Sequence, residues 1–153
     1  MSLNKAREYV KKFNLDSRIS VHDELISTVS MAAEQIGCRE GQIAKSLAFK
    51  VNDNAIIVVM AGDKKIDNRK FKDEFKTKAK MLSPEETLER IGHEVGGVCP
   101  FGIKDNVEVY LDNSLKEYDM VHPACGSKNS SIELTIEELE TLSNYISWVD
   151  ISK

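Results

Sequence analysis

No apolar run in this 153-residue chain approaches the roughly 20 residues that cross a bilayer. The longest, Ala55-Ile56-Ile57-Val58-Val59-Met60-Ala61, has the length of a buried strand. The first residues, Met1-Ser2-Leu3-Asn4-Lys5, lack the apolar stretch of a signal peptide, so the expected location is the cytoplasm. Three cysteines, Cys38, Cys99 and Cys125, are too few and too scattered for a disulfide framework. His22, His93 and His122 lie far apart, and no His or Cys pair has zinc-ligand spacing, so neither a metal nor another cofactor is expected. Repeats, low-complexity tracts and a Pro/Gly-rich linker are also missing. A single domain over residues 1–153 is the expectation, long enough to bury a substantial core.

A positive overall charge is absent too. The net charge of −4 speaks against a nucleic-acid partner. Its distribution is more informative than its sum. From Asp63 to Lys80, eight basic side chains stand against four acidic ones, a net of +4 that leaves −8 for the rest of the chain. Such a strip could meet a phosphate backbone, or simply be the solvated face of a helix.

What is present reads as alternating helices and strands. Leu3, Ala6, Val10 and Phe13 recur at helical spacing. A second helix is expected from Ser27-Thr28, with Val29, Ala32, Ala33 and Ile36 as its stripe and Gly37 as its C-terminal cap. Ile43 to Val51 alternates as a strand, Asn52-Asp53-Asn54 signals a turn, and Ala55 to Ala61 returns beside it antiparallel. Asp67 caps a short helix that turns Phe71 and Phe75 inward. Ser83-Pro84-Glu85-Glu86 opens a helix running through Leu88 and Ile91 to Gly92. Val107, Val109 and Leu111 form a strand, Ile132 and Leu134 another, and Thr135-Ile136-Glu137-Glu138 is a second capping box. A last strand between Tyr145 and Ile151 closes the sheet. The fold class is α/β: a mixed, largely antiparallel sheet surrounded by helices.

Two features carry chemistry. Residues 43, 45, 47, 49 and 51 share one side of their strand, and Lys45 alone among them is charged. An ammonium on that side needs a partner or an aqueous cleft. Alternatively, the strand begins after Lys45, or the long stem reaches the surface. The second feature is the loop Gly96-Gly97-Val98-Cys99-Pro100-Phe101-Gly102. Its glycines permit close approach of a ligand to the main chain, and its amides could face a carbonyl oxygen that becomes negative during acyl transfer. A tight helix-to-strand connection would use the same glycines. No Gly-Lys-Ser/Thr follows, so it is not a phosphate-binding P-loop. Cys99 could act as a thiol nucleophile, but no pattern ties a base to it.

Taken in order, Ser27-Thr28 before Ala32-Ala33-Glu34, Gln42-Ile43-Ala44-Lys45-Ser46-Leu47, the Gly96–Gly102 loop, Val109-Tyr110-Leu111-Asp112 and Ala124-Cys125-Gly126-Ser127 resemble the YbaK/ProX aminoacyl-tRNA deacylases. These are similar to the editing domain inserted in bacterial prolyl-tRNA synthetases. The resemblance runs from about Ser27 to about Leu142. It implies hydrolysis of the ester joining an amino acid to the terminal ribose of tRNA, by a free-standing enzyme that edits in trans, alone or with a synthetase. It casts Lys45, Gly96 and Gly97 as the catalytic set. It places Thr28, Ser30, Cys99, Pro100, Phe101, Gly102, Gly126 and Ser127 around the substrate. Cys99 and Cys125 depart from the family pattern at its two turns, which leaves alanine, cysteine, serine and threonine esters all open as substrates. With no Ser-His-Asp set, positioning and backbone stabilisation of the oxyanion are the expected mechanism. The alternatives are a binding module on the same fold, recognising a nucleotide or a protein without cleaving an ester, and a thiol hydrolase built on Cys99.

Overall fold

The computed structural model describes residues 2–153 except Leu25 and Ser27; the expected helix start at Ser27 thus lies outside the described residues. Five helices, α1 (Ser2–Lys11), α2 (Val29–Ile36), α3 (Asn68–Phe75), α4 (Pro84–Arg90) and α5 (Ile136–Ser143), accompany eight strands among the described residues. The strands are β1 (Ile19–Val21), β2 (Ile43–Val51), β3 (Asn54–Ala61), β4 (Glu108–Asp112), β5 (Met120–Pro123), β6 (Ser130–Ile132), β7 (Leu134–Thr135) and β8 (Ser147–Val149).

Local signals place most of these. Thr28 caps α2 by accepting from the Met31 amide, and Gly37 ends it at φ 82. Ser83 and Thr135 open α4 and α5 with reciprocal capping boxes, as their sequences require. Asn52 and Asp53 both take positive φ, so the β2–β3 hairpin closes in a tight turn matched to strand twist. Leu88 is exposed; α4 turns Thr87 and, just past its end, Ile91 inward, four residues apart.

The main sheet runs β7-β5-β2-β3-β4-β8, and a separate pair joins β1 to β6. Its longest ladder, β2 with β3, is antiparallel, whereas β2–β5, β3–β4 and β4–β8 are parallel. The expected strand around Ile132 and Leu134 divides at Glu133: β6 pairs with β1, and β7 pairs with β5. The closing strand is Ser147–Val149, parallel to β4 at the sheet edge.

Both faces of the sheet are packed, which explains why β3 is apolar at every position from Ala55 to Ala61. Ala44, Ala48, Ile57, Val59, Val109 and Leu111 join one core with Ala6 and Val10 of α1 and Leu139 and Leu142 of α5. Phe49, Ile56, Val58 and Met60 face the other way onto Phe71 of α3. The alternation in β2 therefore marks the α3 side of the sheet, and Lys45 shares that parity. Asp112 fastens the chain end to β4: its carboxylate accepts from the amides of Ser114 and Ile151 and from the Ser152 hydroxyl.

Candidate active site

The site begins with an interruption in strand pairing. β3 accompanies β2 from Ala44 to Val51, but on its other edge β2 meets β5 only at Ile43↔His122 and Ala44↔Pro123. At the far end of that edge, the Lys50 amide donates to the Lys80 carbonyl, and the Leu82 amide donates to the Ala48 carbonyl. Main-chain groups of alternate residues in a strand point to the same side. Ser46 therefore aims its amide and carbonyl into the gap between these two contacts. A cavity of about 470 Å³ occupies that gap. Ala44 to Ala48 form its floor, and Val29, Ala32 and Ile36 of α2 form one wall. Leu82, Val98 and Ser127 are among the residues that close the other sides. The Ser46 hydroxyl oxygen is buried there without a hydrogen-bond partner among the described residues.

Lys45 lies in this cavity wall. Its ammonium donates to the carbonyls of Gly62, at 3.4 Å, and Lys64. A lysine head offers three N–H donors, so one is left for another group. Partial burial lowers its pKa below the ordinary lysine value; Asp63 opposes that shift and Lys65 adds to it. Strand pairing of Lys45 with Met60 excludes the alternative in which β2 starts after it.

The glycine loop contributes unequally. Gly96, at φ 95, lines the cavity, and its amide has no partner among the described residues. Gly97 is buried, and its amide donates to the Glu94 carbonyl at 2.9 Å, so that group is engaged within the loop. What Gly97 supplies is clearance: a Cβ there would stand 2.7 Å from the Ser127 amide nitrogen and 2.8 Å from the Gly126 carbonyl carbon. The two glycine turns pack backbone to backbone, and Ser127 at the edge of the second reaches the cavity. Its hydroxyl lies 2.7 Å from that of Ser130 and 3.0 Å from the Asn129 side chain.

Of the other residues placed around the substrate, Thr28 lines the cavity beside its capping role. Ser30, on the first turn of α2, is exposed and is not among the lining residues. Cys99, Pro100, Phe101, Gly102 and Gly126 are not lining residues either. Cys99 and Phe101 are fully buried in the core, and Gly102 packs against the main chain of Lys5 in α1. Cys99 does lie 3.5 Å from the His93 imidazole, yet both are fully buried. Burial, with Cys125 beside it, drives the Cys99 thiol far above its ordinary pKa, and burial pushes Cys125 up to about 12. Both thiols stay protonated, which removes the nucleophile from the thiol-hydrolase alternative.

Sequence reasoning passed over Ser46, Leu82, Val98 and His122 as lining residues. Leu82 and His122 reach the cavity only because their segments meet opposite ends of one strand edge, and no local pattern announces that. Ser46 follows Lys45 directly and was legible as part of the lysine motif, though not as a group facing a gap.

The model of the aminoacyl-tRNA editing domain matches residues 23–142. The chain belongs to that family. Over 154 aligned residues, this editing domain is 49% identical to the uncharacterized protein YwhH of Bacillus subtilis (strain 168), covering 100% of this chain and 98% of the relative. It is 28% identical to a provisionally named Cys-tRNA(Pro)/Cys-tRNA(Cys) deacylase, EbsC, of Enterococcus faecalis (strain ATCC 700802 / V583), covering 73% of this chain and 70% of EbsC. A solved structure described as a candidate trans-editing enzyme for prolyl tRNA synthetase superposes with a TM-score of 0.90 at 25% identity, covering 99% of this chain and 97% of the other. Sheet and helices are thus those of a YbaK/ProX-type editing domain. None of its helices, among the described residues, is long and apolar enough to cross a membrane.

Proposed function

We propose that this aminoacyl-tRNA deacylase is a free-standing editing enzyme of the cytoplasm, hydrolysing the ester of tRNA mischarged with a small amino acid: alanine, cysteine, serine or threonine. The observation that carries this reading is that Lys45, Gly96 and the open edge at Ser46 line one largely apolar cavity. The volume of that cavity, about 470 Å³, exceeds what a small side chain needs. It suits an aminoacyl group together with its terminal ribose.

The chemistry asks little of the protein. A water attacks the ester carbonyl carbon, assisted by the free vicinal hydroxyl of the ribose. The Gly96 N–H stabilises the oxyanion as it forms. The C–O bond then breaks, the ribose oxygen takes up a proton, and free amino acid and uncharged tRNA leave. Lys45 is held by two carbonyls and directs its third N–H at the acceptor end, fixing the ester against the loop rather than attacking it. EbsC's name points to cysteinyl esters. Thr28 and Ser127 at the cavity wall suit a small or hydroxylated amino acid equally. The test is a panel of tRNAs mischarged with each of the four amino acids. Rapid cleavage of at least one, abolished by Lys45→Ala in a folded protein, is the expected result; no cleavage of any overturns the assignment.

A further inference from the structure

The basic segment does not line the cavity, yet both of its ends join residues that do. It leaves the sheet at Gly62 and Lys64, whose carbonyls hold the Lys45 ammonium. It returns at Lys80, Met81 and Leu82, where the chain bridges onto β2 and supplies two of the cavity's lining residues. Between these points, Phe71 and Phe75 bind α3 to the sheet and turn its opposite face outward. Arg69 and Lys72, three residues apart, stand on that outer face, with Asp73 beside them. Lys65, Lys78 and Lys80 are exposed along the two connections. The nearby Lys70 is engaged with Asp150 and the Ser152 carbonyl. By contrast, Lys65, Arg69, Lys72, Lys78 and Lys80 form no ion pair among the described residues. A net charge of +4 is thus carried on one excursion that starts and ends at the site, on a chain otherwise at −8.

We propose that this excursion is the surface that holds the phosphate backbone of the tRNA acceptor stem while the aminoacylated end lies in the cavity. The inference rests on the reading of the site given above, and it adds to it a place for the duplex. A duplex presents charge along its whole length, and a strip of unpaired cations beside the cavity offers it a track that a small ester does not need.

The test compares two double variants of equal charge change, Arg69→Glu with Lys72→Glu on the strip and Lys11→Glu with Lys12→Glu at the end of α1. Binding of uncharged proline tRNA is measured across a salt series. Hydrolysis is measured on mischarged tRNA and on the matching 2′(3′)-O-aminoacyl-adenosine, which lacks the duplex. The strip variant is expected to weaken tRNA binding about tenfold and to reduce the slope of log affinity against log salt by about 2, one unit per lost phosphate contact. The α1 variant should stay within about twofold of wild type, and neither should change the rate on aminoacyl-adenosine. Equal effects of the two pairs on tRNA binding, or none from either, overturn the proposal. Failure of the wild type to cleave any mischarged tRNA would instead overturn the assigned activity, and the binding arm would still judge the strip.

Discussion

Through Val95, Gly96 and Val98 the glycine loop faces the cavity, with Val95 half-exposed and Gly96 offering a free amide. From Cys99 to Gly102 the same loop turns inward, placing Cys99 and Phe101 in the core and pressing Gly102 onto α1. The two halves share a composition of glycines and apolar residues, but one is built for contact with a ligand and the other for anchorage. Anchorage matters to the first half, because an amide stabilises an oxyanion only when it is held in place beforehand. The buried half supplies that rigidity through a stacked Tyr9–Phe101 ring pair and the Phe101 carbonyl, which accepts from His93 at 2.6 Å.

The sharpest way to test this division is to remove the site's cation and then the anchor. Lys45→Ala should reduce kcat/KM for deacylation by about 10²–10³-fold, the range for losing one stabilising donor, while the thermal unfolding midpoint stays near wild type. Phe101→Ala should do the reverse, costing about 3–5 kcal/mol of stability in a denaturant titration. Its activity, measured well below the unfolding midpoint, should fall far less than that of Lys45→Ala. An equal loss of activity in both variants would show that the halves are not separable.

Gly97→Ala lies on the boundary and should affect both properties. Its Cβ has no room against the Gly126–Ser127 backbone, so the two turns must part. The expectation is about 1–3 kcal/mol of destabilisation with a roughly tenfold drop in kcat/KM. Cys99→Ser should change activity by no more than about threefold, since its thiol is protonated and away from the cavity; abolished turnover with a retained fold would return the cysteine to the mechanism. The smallest effect concerns pH. Because burial lowers the Lys45 pKa, its ammonium loses its proton, and with it the contribution to turnover, at a pH below the ordinary 10.5. An NMR titration of the Lys45 side chain giving an unshifted value would contradict the half-buried placement.

Much of the fold was legible because its determinants are local. Thr28 with Gly37, Ser83 with Glu86, and Asn52-Asp53 each specify a boundary through hydrogen bonds or backbone angles confined to a few residues. Lys45 was legible as an anomaly on an apolar strand. What the pattern could not reveal was which half of the loop meets a ligand, since Gly96 and Gly102 look alike in sequence and both take positive φ. The strand Met120–Pro123 and the return of Met81 to β2 escaped for the same reason: their pairing partners lie far away in the chain. Phe101, expected beside the substrate, proved to be held by Tyr9 of a helix whose approach no local signal encodes.

The unpaired edge at Ser46 has a thermodynamic corollary. Only the folded chain has that edge, so any ligand that completes its hydrogen bonds enters the folding equilibrium as a reagent. A substrate analogue at a hundred times its Kd would add about 2.7 kcal/mol to stability by mass action alone. The sheet, left one short segment unfinished, thus reports its occupancy as a melting temperature, and a thermal-shift screen of non-hydrolysable aminoacyl-adenosines would rank amino acids without a single turnover.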